Sequence, residues 1–125
     1  MSRVEDCPCG SGSSFENCCG PFISGLKLPE TAEQLMRSRY SAYATLAIDY
    51  LVMTTHVSTR KLFSRKDIEK WAKSNTWLKL EVLNSTDTTV EFKAYFREGM
   101  GIPQVHHEYS NFVCEEGRWY YVDAD

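Results

Sequence analysis

Four cysteines crowd into thirteen residues near the start of this chain, and no other feature narrows its fold as much. The run is Cys7-Pro8-Cys9-Gly10-Ser11-Gly12, then Ser13-Ser14-Phe15-Glu16-Asn17, then Cys18-Cys19-Gly20. A structural zinc takes four ligands in a tetrahedron and is well served by thiolates. Pro8 can bend the chain so that Cys7 and Cys9 point their sulfurs the same way. Gly10 and Gly12 permit backbone angles that other residues resist, so the loop can fold back and bring up Cys18 and Cys19. Adjacent residues of a strand point to opposite faces. Both of these cysteines can serve one ion only from a turn or the start of a helix. Phe15, the one apolar residue inside the loop, is placed to cover the site or to dock it on the rest of the chain.

The alternative for these cysteines is a pair of disulfides, with three pairings open. The opening residues Met1-Ser2-Arg3-Val4-Glu5-Asp6 hold no apolar run, so a cytoplasmic location is expected. Cytosolic chains use such clusters for metal more often than for bridges. We therefore read one structural zinc on Cys7, Cys9, Cys18 and Cys19, with iron as a weaker reading. Four protein thiolates leave no open position for water, which argues against catalytic zinc. Cys114, beside Phe112 and Val113, reads as a small buried hydrophobe.

The segment resembles the SEC-C motif, a small metal-binding module named after the C-terminus of the SecA translocase motor. All four ligand positions and the Gly10-Ser11-Gly12 core match. The resemblance implies zinc binding and docking on a protein partner. Family members often carry lysines in the loop where this chain has Ser13, Ser14 and Glu16.

The 125 residues suffice for one ordinary domain plus a small appendage. Lys and Arg total 14 against 17 Asp and Glu, a net charge of −3; four thiolates and a divalent ion would take it to about −5. Such a balance disfavours nonspecific nucleic-acid binding. No stretch approaches the roughly 18 apolar residues of a membrane span.

Beyond the cysteines, Pro21 to Pro29 reads as an apolar connector, with Phe22, Ile23, Leu26 and Leu28 laid on the main domain. A helix follows, with Thr31 as N-cap and Gln34 three residues on. Ala32, Leu35, Met36, Tyr40, Tyr43, Ala44 and Ala47 recur at helical spacing, interrupted only by Arg39. A second short helix is expected over 49–55. A third is capped by Ser64, with Phe63 stapled on Ile68.

The second half alternates like strands: 77–83, then Val90, Phe92, Ala94 and Phe96 on one face of the next, then 105–114, a tight turn at 115–118, and 119–122. Short connections imply an antiparallel sheet. The fold class is α+β, with helices packed on one face of a curved sheet.

A second resemblance rests on Arg37-Ser38-Arg39-Tyr40-Ser41-Ala42-Tyr43, Asp49-Tyr50-Leu51, His107-Glu108 and Gly117-Arg118-Trp119-Tyr120-Tyr121-Val122-Asp123. These look like the bacterial YchJ-like family. It implies a cone-like, nuclear-transport-factor-2-like fold, often with a pocket, and no established activity. Many members carry a second SEC-C motif after the sheet; this sequence stops at Asp125. The expected division is a knuckle over 1–22 and a cone over 23–125.

Pocket candidates are Tyr40, Asp49, His56, Trp77, Tyr95, His107, Glu108, Tyr109 and Trp119. On the third strand His107, Tyr109 and Asn111 share a face with Val105 and Val113, and such a face can line a pocket. Asp49, His107 and Tyr109 are the acid–base candidates, His107 because its ordinary pKa lies near neutrality. No nucleophile–base–orienter set is visible, and the expected role is interaction with a protein partner, Pro8, Phe15, Asn17 and Phe22 supplying contacts. A small ligand in the cone, bound or turned over by isomerase- or dehydratase-like chemistry, is the alternative.

Overall fold

The computed structural model describes residues 6–124. A 3-10 turn at Phe15–Asn17 leads into helices α1 (Cys19–Ser24), α2 (Ala32–Thr45), α3 (Ile48–Met53), α4 (Val57–Arg60) and α5 (Arg65–Ser74). Strands β1 (Asn75–Ser85), β2 (Thr89–Glu98), β3 (Gln104–Glu115) and β4 (Arg118–Ala124) complete the chain. They form one antiparallel sheet in the order β1-β2-β3-β4. Among the described residues no helix is long and apolar enough to cross a membrane.

The helix starts follow their caps. The Thr31 side chain accepts from the Gln34 amide, and the Gln34 side chain reaches back to the Glu30 amide at 2.8 Å. Ser64 accepts from the Asp67 amide and starts α5. Two donors that no helix can satisfy internally are thereby paired at α2, and one at α5. At the β3–β4 turn Glu116 and Gly117 both have positive φ, 52° and 81°. That conformation matches the right-handed twist of the strands it joins.

The core lies between the helices and one sheet face. Leu35 and Met36 of α2 pack with Leu80, Val90, Ala94 and Phe112, and all are buried. Each large apolar side chain buried in this way contributes roughly 1.5–3 kcal/mol. A second cluster joins Ala42, Ile48, Leu51, Ile68 and Ala72 and holds α3 and α5 on α2. The Thr55–Tyr121 bridge fastens the chain after α3 to the edge of β4, with His56 N donating to the Tyr121 carbonyl at 2.7 Å. An otherwise open sheet edge is covered in this way.

Three sequence expectations are corrected. The stretch from Pro21 begins inside helix α1, where Pro21 fits the first turn because its missing N–H has no helical partner there. Leu26 lies 82% exposed rather than on the main domain, beyond the left-handed Gly25 that ends the helix. Cys114 is exposed, one residue before β3 ends at the turn into β4. Helix α4 was not expected at all.

Candidate metal centre and cavity

The four cysteines converge. Their sulfurs all lie within 4.8 Å of one another, with Cys9 to Cys18 at 3.6 Å and Cys18 to Cys19 at 3.9 Å. A tetrahedron of thiolates about 2.3 Å from zinc sets its sulfurs about 3.8 Å apart. A disulfide needs about 2.05 Å, and all four thiols are free. The donor set therefore fits a metal ion.

The local chain explains the convergence. Cys7 N donates to the Ser13 carbonyl and Gly10 N to the Cys7 carbonyl, closing the first loop. Gly10 adopts φ +80°, and a Cβ there would approach the Leu80 carbonyl at 3.3 Å. Cys18 sits at the N-cap of α1 and Cys19 is its first residue, the helix start that adjacent ligands require. A Cβ on Gly20 would stand 2.8 Å from the Phe15 carbonyl, so the glycine after the cysteine pair is needed for close packing of the 3-10 turn.

Cys7, Cys9 and Cys19 are buried in the same cluster as Leu35, Met36 and Leu80, while Phe15 and Cys18 pack against it. Cys7 Sγ contacts Ser41 Oγ at 3.4 Å. Helix α1 runs through residue 22 without a break. The Cys9 thiol is pulled down to about 4, foremost by the Cys19 thiol that hydrogen-bonds to it, and Cys19 is correspondingly pushed up by Cys9. Burial raises Cys18. Thiolates this close repel each other, and a divalent cation at their centre lets all four ionise.

A second feature is a cavity of about 210 Å³ between the helices and the sheet. Tyr40, Tyr43, Phe63, Trp71, Trp77, Phe92, Phe112 and Tyr121 form most of its wall; Arg39, Thr55, His106, Glu108 and Ser110 form its polar part. The strand register decides this. Val90 pairs with Ser110, Phe92 with Glu108 and Ala94 with His106, and directly paired residues share a face. Since Val90 and Ala94 face the core, so do Ser110, Glu108 and His106.

The expected pocket face of β3 is thereby corrected. His107 and Tyr109 pair with Lys93 and Glu91 on the outer face. His107 Nε2 meets Glu91 at 2.7 Å, and Tyr109 is exposed. Asp49 is also outside the cavity; it pairs with Arg65 on the surface and borders a separate groove beside Trp119 and Tyr120. Tyr95 is on the outer face with its hydroxyl on Glu81, and His56 bonds Glu115 at 2.9 Å near the end of β3. Of the candidates, Tyr40, Trp77 and Glu108 line the cavity. Sequence reasoning missed Arg39, His106 and Ser110. Arg39 had a signal, as the one charge breaking an apolar helical stripe.

The whole-chain comparisons agree with this architecture. Residues 31–124 match the family model described as YchJ, middle NTF2-like domain, and residues 5–21 match the SEC-C motif. The chain belongs to the YchJ-like family. Relatives of that family include a UPF0225 protein of Haemophilus influenzae (strain PittEE), 48% identical over 95% of this chain and 77% of its own length. One from Geobacter sulfurreducens is 41% identical over 94% and 77%. The solution structure of a SEC-C motif containing protein from Rhodopseudomonas palustris superposes with a TM-score of 0.88 at 41% identity, covering 97% of this chain and 98% of that one. The crystal structure of a SEC-C motif containing protein from Psychrobacter arcticus gives 0.81 at 36%, covering 94% and 80%. The YchJ-like assignment and the α+β, NTF2-like fold thus stand as the sequence suggested, together with a cysteine cluster that can hold a metal ion.

Proposed function

We propose that Cys7, Cys9, Cys18 and Cys19 hold one zinc ion whose task is structural, and that the knuckle it braces docks on a protein partner. The observation that carries the metal reading is the convergence of four sulfurs within 4.8 Å of one another, two of the spacings, 3.6 and 3.9 Å, lying close to the value of a zinc tetrathiolate. A full set of protein ligands leaves no place for a reacting water. Above the buried sulfurs, Gly10 to Ser13, Glu16 and Asn17 are exposed, so the ion would stiffen a surface rather than open a catalytic site. Pro8, Phe15 and Phe22 are half-buried beside it. Four reduced thiols also suit the cytoplasm, where we place the protein.

The test is elemental analysis of protein purified without chelator or metal-binding tag, followed by partner capture. One zinc per chain is expected, lost in Cys18→Ser while the sheet signal persists, together with loss of the captured partner. A protein without metal would overturn the first half of the reading. An unchanged capture profile after zinc loss would overturn the second.

A further inference from the structure

We infer that the cavity between the helices and the sheet is a binding site for a small organic acid, a carboxylate on a flat apolar body, seated on Arg39. The inference is independent of the zinc reading.

Its first support is a buried cation that, among the described residues, no carboxylate contacts. Arg39 is only 9% exposed and lines the cavity. Its hydrogen bonds to the described residues all leave from Nη1, to the Leu51 carbonyl at 3.0 Å and the Thr54 and Thr55 hydroxyls at 2.7 and 3.4 Å. The guanidinium lies over the Tyr121 ring, 4.7 Å from its centre. Among the described residues it makes no ion pair. Burying a charge without a partner is costly. A carboxylate in the cavity would supply that partner, and Nε and Nη2 remain to receive it in the two-pronged geometry that guanidinium favours.

The neighbouring acid acts on Arg39 only at a distance. Glu108 is engaged by His106 Nε2 at 2.7 Å through Oε1 and by the Ser110 hydroxyl through Oε2. Its charge repels an anion nearby, so the guest's carboxylate belongs at Arg39 and any donor group toward Glu108.

The rest of the lining sets the body of the guest. Tyr40, Tyr43, Phe63, Trp77, Phe92 and Phe112 offer flat apolar walls. The volume equals that of on the order of seven waters of liquid, which suits one or two rings. Trp71 is 41% exposed and the His106 side chain 48%, marking the side on which the cavity opens.

The experiment titrates the full chain with benzoate, phenylacetate and 1-naphthoate, and in parallel with neutral benzamide and cationic benzylamine. Binding is read by fluorescence of the wall tryptophans Trp71 and Trp77 and by amide chemical shifts. We expect saturable binding of at least one acid, with benzamide and benzylamine weaker by roughly tenfold or more. Arg39→Gln should erase that preference. Because Arg39 also holds backbone, a second variant decides if that one fails to fold: Glu108→Gln removes the repelling charge and should tighten the acid several-fold. No saturation by any of the acids overturns the inference. So does benzamide or benzylamine binding as tightly, or an acid affinity that Glu108→Gln leaves unchanged.

Discussion

Arg37 donates from Nη1 to the Cys9 carbonyl at 2.8 Å and so ties the cysteine loop to helix α2. The same guanidinium pairs with Glu33 at 3.0 Å, and Glu33 accepts from Ser85 of β1. One chain of polar contacts therefore links sheet, helix and knuckle. Outer partners of this kind hold ligands in place, and their loss typically costs about 10- to 100-fold in metal affinity. Arg37→Met should speed metal loss to a chromogenic chelator by roughly tenfold while leaving the circular dichroism spectrum unchanged. Equal release rates would show that the loop is positioned without α2.

Because Cys9 and Cys19 share a core with Leu35 and Leu80, the knuckle is coupled to the domain. The sequence alone suggests that only the knuckle melts on chelation. The shared burial predicts more: Cys9→Ser, which removes one of the four metal ligands and a buried sulfur from that core, should lower the midpoint of the whole transition by roughly 10 °C. Calorimetry checks this. An unchanged midpoint would mean that the two parts unfold separately.

Gly20 should tolerate no side chain. The 2.8 Å approach to the Phe15 carbonyl would force the 3-10 turn away. Gly20→Ala is expected to reduce metal content while the sheet stays formed, read by elemental analysis beside circular dichroism. Full metal content would show that the turn can shift at little cost.

The His106–Glu108 pair has a defined pH signature. The hydrogen bond to Glu108 raises His106 above its ordinary value. Burial alone would raise Glu108, but His106, Ser110 and Arg39 together bring it below the usual carboxylate range. The His106 contribution to stability is present below about pH 6.5 and is lost as pH rises through its raised folded value. The Glu108 contribution is present above about pH 4.3 and is lost as pH falls through its lowered one. Proton NMR should give a His106 midpoint above 6.5 that falls in Glu108→Gln. A midpoint unmoved by that substitution would contradict the pairing.

Glu116 carries its side chain at φ 52° in a two-residue turn. Asparagine adopts this conformation more readily. Glu116→Asn should stabilise the protein by about 0.5 kcal/mol, seen as a small rise in the denaturation midpoint. A fall would show that Glu116 makes a compensating contact.

Much of this fold is local in origin. The Thr31 and Ser64 caps, the apolar stripe of α2 and the alternation of β2 act over a few residues, so their elements follow from the sequence. The cysteine pairs belong with them in part: a Gly/Ser loop and a helix start bring the sulfurs near one another locally, while Arg37 and Ser41 of α2 hold the loop in place. The facing of β3 is different. His106, Glu108, Ser110 and Phe112 alternate with His107, Tyr109, Asn111 and Val113, and both sets mix polar with apolar residues, so period alone names no inner face. Pairing with Val90 and Ala94 across the sheet decides it. The same holds for Arg39. In sequence it is an interruption; in the fold, packing of α2 against the sheet buries it over Tyr121 and aims it into a cavity. Short-range rules of capping, turn geometry and period were thus determined by the sequence itself. Which polar groups meet in the interior was decided by long-range register and packing, because a single strand or helix does not say what lies opposite it.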